Sequence, residues 1–190
     1  MHWNVFRNRQ KPQEYFYNSV ENNQIITLLK RAGREPYRKR GFVLESSNNQ
    51  KSGEMEAVPL FGYELMRDIL LPEILGKHTT DILYWGGKSL ARRFPLVSLE
   101  ETEAFFLEAG WGKLSLADDK KDEQIFILSG PFVERRLSLK TDISFKMEAG
   151  FLAEQVQSKK KAVTEAAEEI HKRSKTVKFI VRTDPKDKIE

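Results

Sequence analysis

Cysteine is absent from this chain of 190 residues and histidine occurs three times. Without a thiol there can be no disulfide, no thiolate zinc site, no cysteine nucleophile and no S-acylation. The histidines stand far apart, at His2, His78 and His171, so no set of imidazoles offers itself to zinc, iron or haem. No metal and no cofactor is expected. Long apolar runs are missing too: nowhere do 18 apolar residues follow one another, so no membrane span is expected. The opening Met1-His-Trp-Asn-Val-Phe-Arg7 lacks the apolar stretch of a secretion signal, and a cytoplasmic location is the expectation.

The net charge of +4 conceals an uneven distribution. Residues 1–43 carry nine Lys and Arg against three Glu, or +6, while the remainder is −2. The basicity therefore belongs to one end, and a phosphate-backbone partner is not expected for the rest of the chain. Residues 1–59 have only short apolar pieces such as Ile25-Ile-Thr-Leu-Leu29 between basic and Asn/Ser-rich stretches, too little to offset the entropy of ordering. They are expected to form a basic, loosely ordered or mis-started extension. Glu35 and Pro36 interrupt the cluster of Lys30, Arg31, Arg34, Arg38, Lys39 and Arg40, which argues for a solvated tail over a nucleic-acid clamp.

From Leu60 the periodicity sharpens. Leu60, Phe61, Leu65, Met66, Ile69 and Leu70 share one stripe of a helix that Pro72 ends or kinks, with Gly76 as the following stop. Thr79-Thr-Asp81 caps a second helix running from Ile82 to Arg93, and Ser98-Leu-Glu-Glu101 is a capping box for a third, from Leu99 to Ala109. The period then falls to two: Leu114 and Leu116 alternate with Ser115 and Ala117, a polar turn follows at 118–122, and 124–128 returns as a hairpin strand. Pro131 opens a short helical turn, Met147 to Gln157 is helical, and Thr176 to Arg182 alternates as a late strand. Over Ala162 to Arg173, Ala162, Val163, Ala166, Ala167 and Ile170 make a helical stripe, and propensity alone predicts helix.

Several groups of unusual residues recur together: Tyr63-Glu-Leu-Met-Arg-Asp-Ile-Leu-Leu-Pro72, Leu83-Tyr-Trp-Gly-Gly-Lys88, Leu90-Ala-Arg-Arg-Phe-Pro95, Phe105 to Gly112, Ser129-Gly-Pro131 and Glu148-Ala-Gly-Phe-Leu-Ala-Glu-Gln155. In this order and spacing the chain resembles the YslB-type family of Bacillus-like Gram-positive bacteria. That family is similar in fold to vinyl-reductase-type domains, haem nitric-oxide-binding domains and subunits of the vesicle-tethering TRAPP complex. The resemblance implies an α+β fold with helices packed on an antiparallel sheet, occupying residues 60–184 as one domain, with 185–190 a polar tail. It also implies that Ala162 to Ile170 is a strand hairpinned to Thr176 to Arg182, which is the reading taken here against local propensity. The sulfur and iron chemistry of such relatives does not transfer, because this chain lacks the Cys and a suitably placed axial His.

Motifs that suggest catalysis are incomplete. Gly87-Lys-Ser89 ends like a phosphate loop, but Ile82 stands where the first Gly is required and the preceding segment is helical. Gly86 and Gly87 are expected to admit a neighbouring element, with Trp85 packed beside them. Glu148 and Glu154, six apart, point to different faces, and no acid and base pair is expected. Gly150, costly inside a helix, is expected at a close contact with the helix that carries Trp85. No catalytic residue is assigned, and the domain is expected to be non-enzymatic. One reading places an apolar small molecule between helices and sheet, against Tyr63, Leu83, Trp85, Phe94, Gly150, Phe151 and Gln155. The other is a structural or assembly protein with a filled core, forming a homodimer through residues 60–93 as the tethering-complex resemblance implies.

Overall fold

Alternation of apolar and polar side chains produces the sheet. In the structure, a computed structural model, strand β1 (Lys113–Asp119) turns back into β2 (Glu123–Ser129), with a bulge between Leu116 and Asp118. β2 pairs with β4 (Thr176–Lys188), and β4 with β3 (Ala162–His171), all antiparallel, in the order β1-β2-β4-β3. The structure describes residues 60–139 and 143–189. These lie in the second of the two units into which the chain divides, 46–190; the expected basic extension falls outside the described residues.

The segment 162–171 is strand, although its Ala and Glu content favours helix. Lys161, in the left-handed conformation at φ 52°, ends the preceding helix and redirects the backbone at once. Ala162, Thr164 and Ala166 then face inward in a period of two, and pairing with β4 satisfies their backbone. Tertiary pairing overrides a weak local preference here. β4 also runs past the expected end of the domain at residue 184: Lys188 is still in register with Ala162.

The helices are α1 (Leu60–Glu64), a π-helical segment (Leu65–Leu70), α2 (Leu71–Leu75), a 3-10 turn (Gly76–His78), α3 (Thr79–Arg93), α4 (Leu99–Glu108), α5 (Pro131–Ser138) and α6 (Lys146–Lys160). The N-terminus of α4 is built as its sequence dictates: Ser98 Oγ accepts from the Glu101 amide at 3.1 Å, and the Glu101 carboxylate accepts from the Val97 amide at 2.7 Å. Thr79 does not cap α3. Its hydroxyl donates backward to the Gly76 carbonyl at 2.6 Å. Pro72 does not stop the first helix either, since it falls in the opening turn of α2, where its missing N–H costs little; the break comes at Gly76, φ 56°.

Helix α6 is the hub. It lies on the sheet, and α3 packs across its other side, so every residue from Glu148 to Val156 is buried. Such a helix has no solvent face and shows little amphipathic pattern. Its small residues set the spacing between layers. A Cβ built on Gly150 would fall on the carbonyl oxygen of Tyr84 and 2.8 Å from the carbonyl carbon; one on Gly87 would fall on the carbonyl oxygen of Met147 and 2.9 Å from the amide of Phe151. The two glycines are reciprocal, one from each helix. Gly86, paired with Gly87 in the sequence reading, faces open space.

Candidate functional site

Glu64, Arg67 and Asp68 recur at helical spacing on the side of the first helix opposite its apolar stripe, and the structure turns that charged side inward. All three are buried. The expected orientation is thereby reversed: Phe61, Leu65, Met66, Ile69, Leu70 and Ile74 of residues 60–75 are 40–68% exposed. The physical reason is a set of ionic partners waiting beneath. Arg135 and Arg136 project from α5, and Glu148 stands at the start of α6.

Each charge has a counterpart. Arg67 donates to Glu148 Oε1 and, through its other terminal nitrogen, to the Tyr63 hydroxyl. Arg136 donates to Asp68 at 2.8 and 3.2 Å, to the same Glu148 oxygen at 3.2 Å and to the Ser144 carbonyl at 3.0 Å. Arg135 holds Glu64 in a two-point pair whose second bond is 2.9 Å. Aromatic faces complete the enclosure: the Arg136 guanidinium lies 4.2 Å from the centre of Phe145 and that of Arg67 lies 5.9 Å from Trp111. Two buried arginines and the half-exposed Arg135 meet three buried carboxylates, and the geometry fixes the first helix onto the domain.

The π-helical turn reconciles this inward charge with the outward stripe. Its i→i+5 hydrogen bond, from the Leu71 amide to the Met66 carbonyl, widens one turn. Phe61, Leu65, Leu70 and Ile74 are spaced four, five and four apart, one ordinary turn, one wide turn and one ordinary turn, so they remain in line.

The residues proposed from sequence for an apolar pocket do not gather round one space. Phe151 is fully buried, its ring stacked on Phe105 at 4.6 Å between centres and edge-on to Trp111 and Phe106. Gly150 is closed off by Tyr84. Gln155 donates to the Phe94 carbonyl at 2.7 Å and to that of Ala91 at 3.4 Å, and accepts from the Leu96 amide at 3.0 Å. It thus satisfies the end of α3 and ties it to the link that leads into α4. Phe94 is half-buried against Phe105, and Tyr63 and Leu83 are also half-buried. Trp85, expected to pack in the interior, is 61% exposed. Its neighbours on α3 turn to the sheet instead: the Tyr84 hydroxyl accepts from the Ala166 amide at 3.0 Å and Lys88 donates to the Thr164 carbonyl at 3.1 Å. These two side chains block part of the outer edge of β3, where another strand would otherwise pair.

Sequence reasoning missed Glu64, Arg67, Asp68, Arg135 and Arg136. The available signal was Glu64-x-x-Arg67-Asp68, three charges on one helix face, together with adjacent arginines in a short helix. Glu154, on a different face of α6 from Glu148, pairs with Arg92 at 2.7 and 3.1 Å.

A second carboxylate stands at the same end of α6. Glu168 of β3 accepts from the Phe145 amide and the Ser144 hydroxyl, both at 3.3 Å, while its other oxygen and Glu148 Oε2 are buried without a hydrogen-bond partner among the described residues. Burial, with the charge of Glu148 adding to it, raises the Glu168 carboxyl above its ordinary 4.5, against the opposing pull of Lys146. A carboxyl with a raised folded pKa binds its proton more tightly in the native state than in the unfolded one. Its contribution therefore favours folding at low pH and is lost as pH rises from the ordinary value through the raised one. Glu168→Gln, which keeps the acceptor oxygen, is expected to remove that decline. Urea midpoints measured from pH 4 to neutrality should fall less for the variant than for the parent chain; parallel curves would show that Glu168 does not titrate in this window.

Residues 60–182 match the family model described as "Protein of unknown function (DUF2507)". The "Uncharacterized protein YslB" of Bacillus subtilis (strain 168) is 44% identical over 144 residues, which cover 76% of this chain and 95% of that protein. Among solved structures, a vinyl-4-reductase family protein from Methanocaldococcus jannaschii is similar with a TM-score of 0.49 and 18% identity, covering 69% of this chain and 85% of that one.

Proposed function

Since the chain belongs to the DUF2507 family of proteins of unknown function, we propose from its own geometry that it is a non-enzymatic assembly protein, whose working surface is the apolar side of residues 60–75, docked against an apolar face of another protein chain. The single observation carrying this reading is the inverted helix. Six large apolar side chains about half exposed, at roughly 100 Å² each, expose ~600 Å². That is at the upper end for the largest patch of a monomer and close to what one partner contributes to a standard interface. The ionic set beneath holds this surface rigidly, so docking costs little ordering.

The pocket reading has weaker support. Phe151, Phe105, Phe106 and Trp111 fill the space a ligand would need, and the polar atoms of Gln155 are already engaged. Arg67, Arg136, Asp68 and Glu148 are likewise committed to one another, which disfavours a catalytic use.

Ile74 and Val97 are equally exposed at 68%, yet Val97 lies outside the helix in question, and this permits an internally controlled test. A photo-reactive phenylalanine analogue placed at position 74 in cells should give a discrete protein adduct, identified by mass, and the same group at position 97 should not. Equal labelling at both positions, or none at 74, would remove the docking role. Lipid-like mass retained in native mass spectrometry would restore the pocket.

A further inference from the structure

Resting on the docking reading, we infer that the occupant of this face is a second copy of the same chain, lying antiparallel across a two-fold axis that passes between Arg67 and Asp68. The exposed apolar positions are mirror-symmetric about that point. Phe61 and Ile74 are equally distant from it, as are Leu65 and Leu70, and Met66 and Ile69. In an interface between identical copies related by a two-fold, residue i meets j while j meets i, so this pattern sets apolar on apolar at every pair. A different partner imposes no symmetry on the sequence. Antiparallel pairing then sets Phe61 on the second copy's Ile74, Leu65 on its Leu70 and Met66 on its Ile69.

Two further features fit this register. Glu73 is the one exposed charge of residues 60–75, and its mirror position is Gly62, whose absent side chain leaves the carboxylate a path to water. The other three charges of the helix are turned inward and paired, so none is buried unpaired in the contact. The contribution of ~600 Å² from each helix approaches the ~800 Å² per partner typical of stable pairs.

The absence of cysteine makes the register directly testable, since engineered thiols are then the only ones. In the full chain, Phe61→Cys with Ile74→Cys should oxidise to a covalent dimer. Each single variant should remain uncrosslinked, because like positions lie about 20 Å apart in the antiparallel pair, far beyond the ~7 Å that a disulfide spans. Mixing the two single variants should restore one crosslink. Light scattering of the parent chain should give twice 22.1 kDa, and Ile69→Lys should give 22.1 kDa with an unchanged circular dichroism spectrum. A single variant that links to itself as readily as the double would overturn the antiparallel register. A parent chain that is monomeric at every concentration would overturn the second copy. If position 74 still gives a discrete adduct with another protein in cells, the docking reading survives that failure; with no adduct, both fall.

Discussion

Glu148→Ala is expected to destabilise the protein by about 3–5 kcal/mol, the cost of removing one partner from a buried ionic group. Among the described residues, the alanine leaves Arg67 hydrogen-bonded to the Tyr63 hydroxyl alone and deprives Arg136 of one of its two carboxylates, while both guanidinium groups stay 5–6% exposed. Against a total stability of roughly 5–15 kcal/mol for a domain, such a loss is large. Denaturant midpoints give the magnitude directly. The companion variant Glu148→Met with Arg67→Met separates pairing from packing: with both charges replaced by apolar chains, much of the loss should be recovered. Removing the exposed pair Arg182–Glu123 should cost no more than about 1 kcal/mol, because water already solvates one of its members well. If Glu148→Ala were no worse than that control, the ionic set would not be what holds residues 60–75 to the domain.

Much of the architecture was legible from local pattern. The hairpin of β1 and β2, the Ser98 cap and the helix around Gly150 follow from alternation, capping chemistry and helical period, and the structure contains each. The strand at 162–171 was legible only by resemblance to the YslB-type family, since its Ala and Glu residues favour helix and the pairing that overrules them is remote in sequence. Periodicity finds the faces of a helix and cannot say which of them points inward. For residues 60–75 both faces are periodic, one apolar and one ionic, and burial was decided by Arg135, Arg136 and Glu148, which arrive about 70 to 80 residues later. Trp85 was misplaced for a related reason. Tyr84 and Gly87 take the inward positions of α3, which leaves the tryptophan between them on the outside.

Glu148 to Gln155 carries so much of the resemblance because the packing around it leaves little freedom of choice. Helix α6 meets the sheet, α3 and the ionic set at once, so each of its positions is constrained by a different neighbour: Glu148 by the arginines, Gly150 by a backbone, Phe151 by three rings, Glu154 by Arg92, Gln155 by the end of α3. An inward-facing salt bridge is weak support for stability by itself, but it fixes orientation. Here it fixes which side of the first helix remains available to another chain.

Gly150 offers the second large effect, and its sign is diagnostic. On helix propensity alone, Gly150→Ala should stabilise α6 by roughly 1 kcal/mol. The added methyl would instead land on the Tyr84 carbonyl oxygen and within 3.2 Å of the Tyr84 Cα, atoms of another helix's backbone that no rotamer change can move aside. Overpacking of this kind costs about 1–3 kcal/mol and at times more, so Gly150→Ala is expected to destabilise and Gly150→Leu to do so further. Gly87→Ala should behave alike, because its methyl would meet the Met147 carbonyl from the other side of the crossing. Gly86→Ala supplies the control: with nothing within contact distance, it should be neutral or slightly stabilising. Chemical denaturation of the four variants would order them. A stabilised Gly150→Ala, equal to Gly86→Ala, would mean that α3 and α6 are not in backbone contact and that the close crossing on which this core depends is absent.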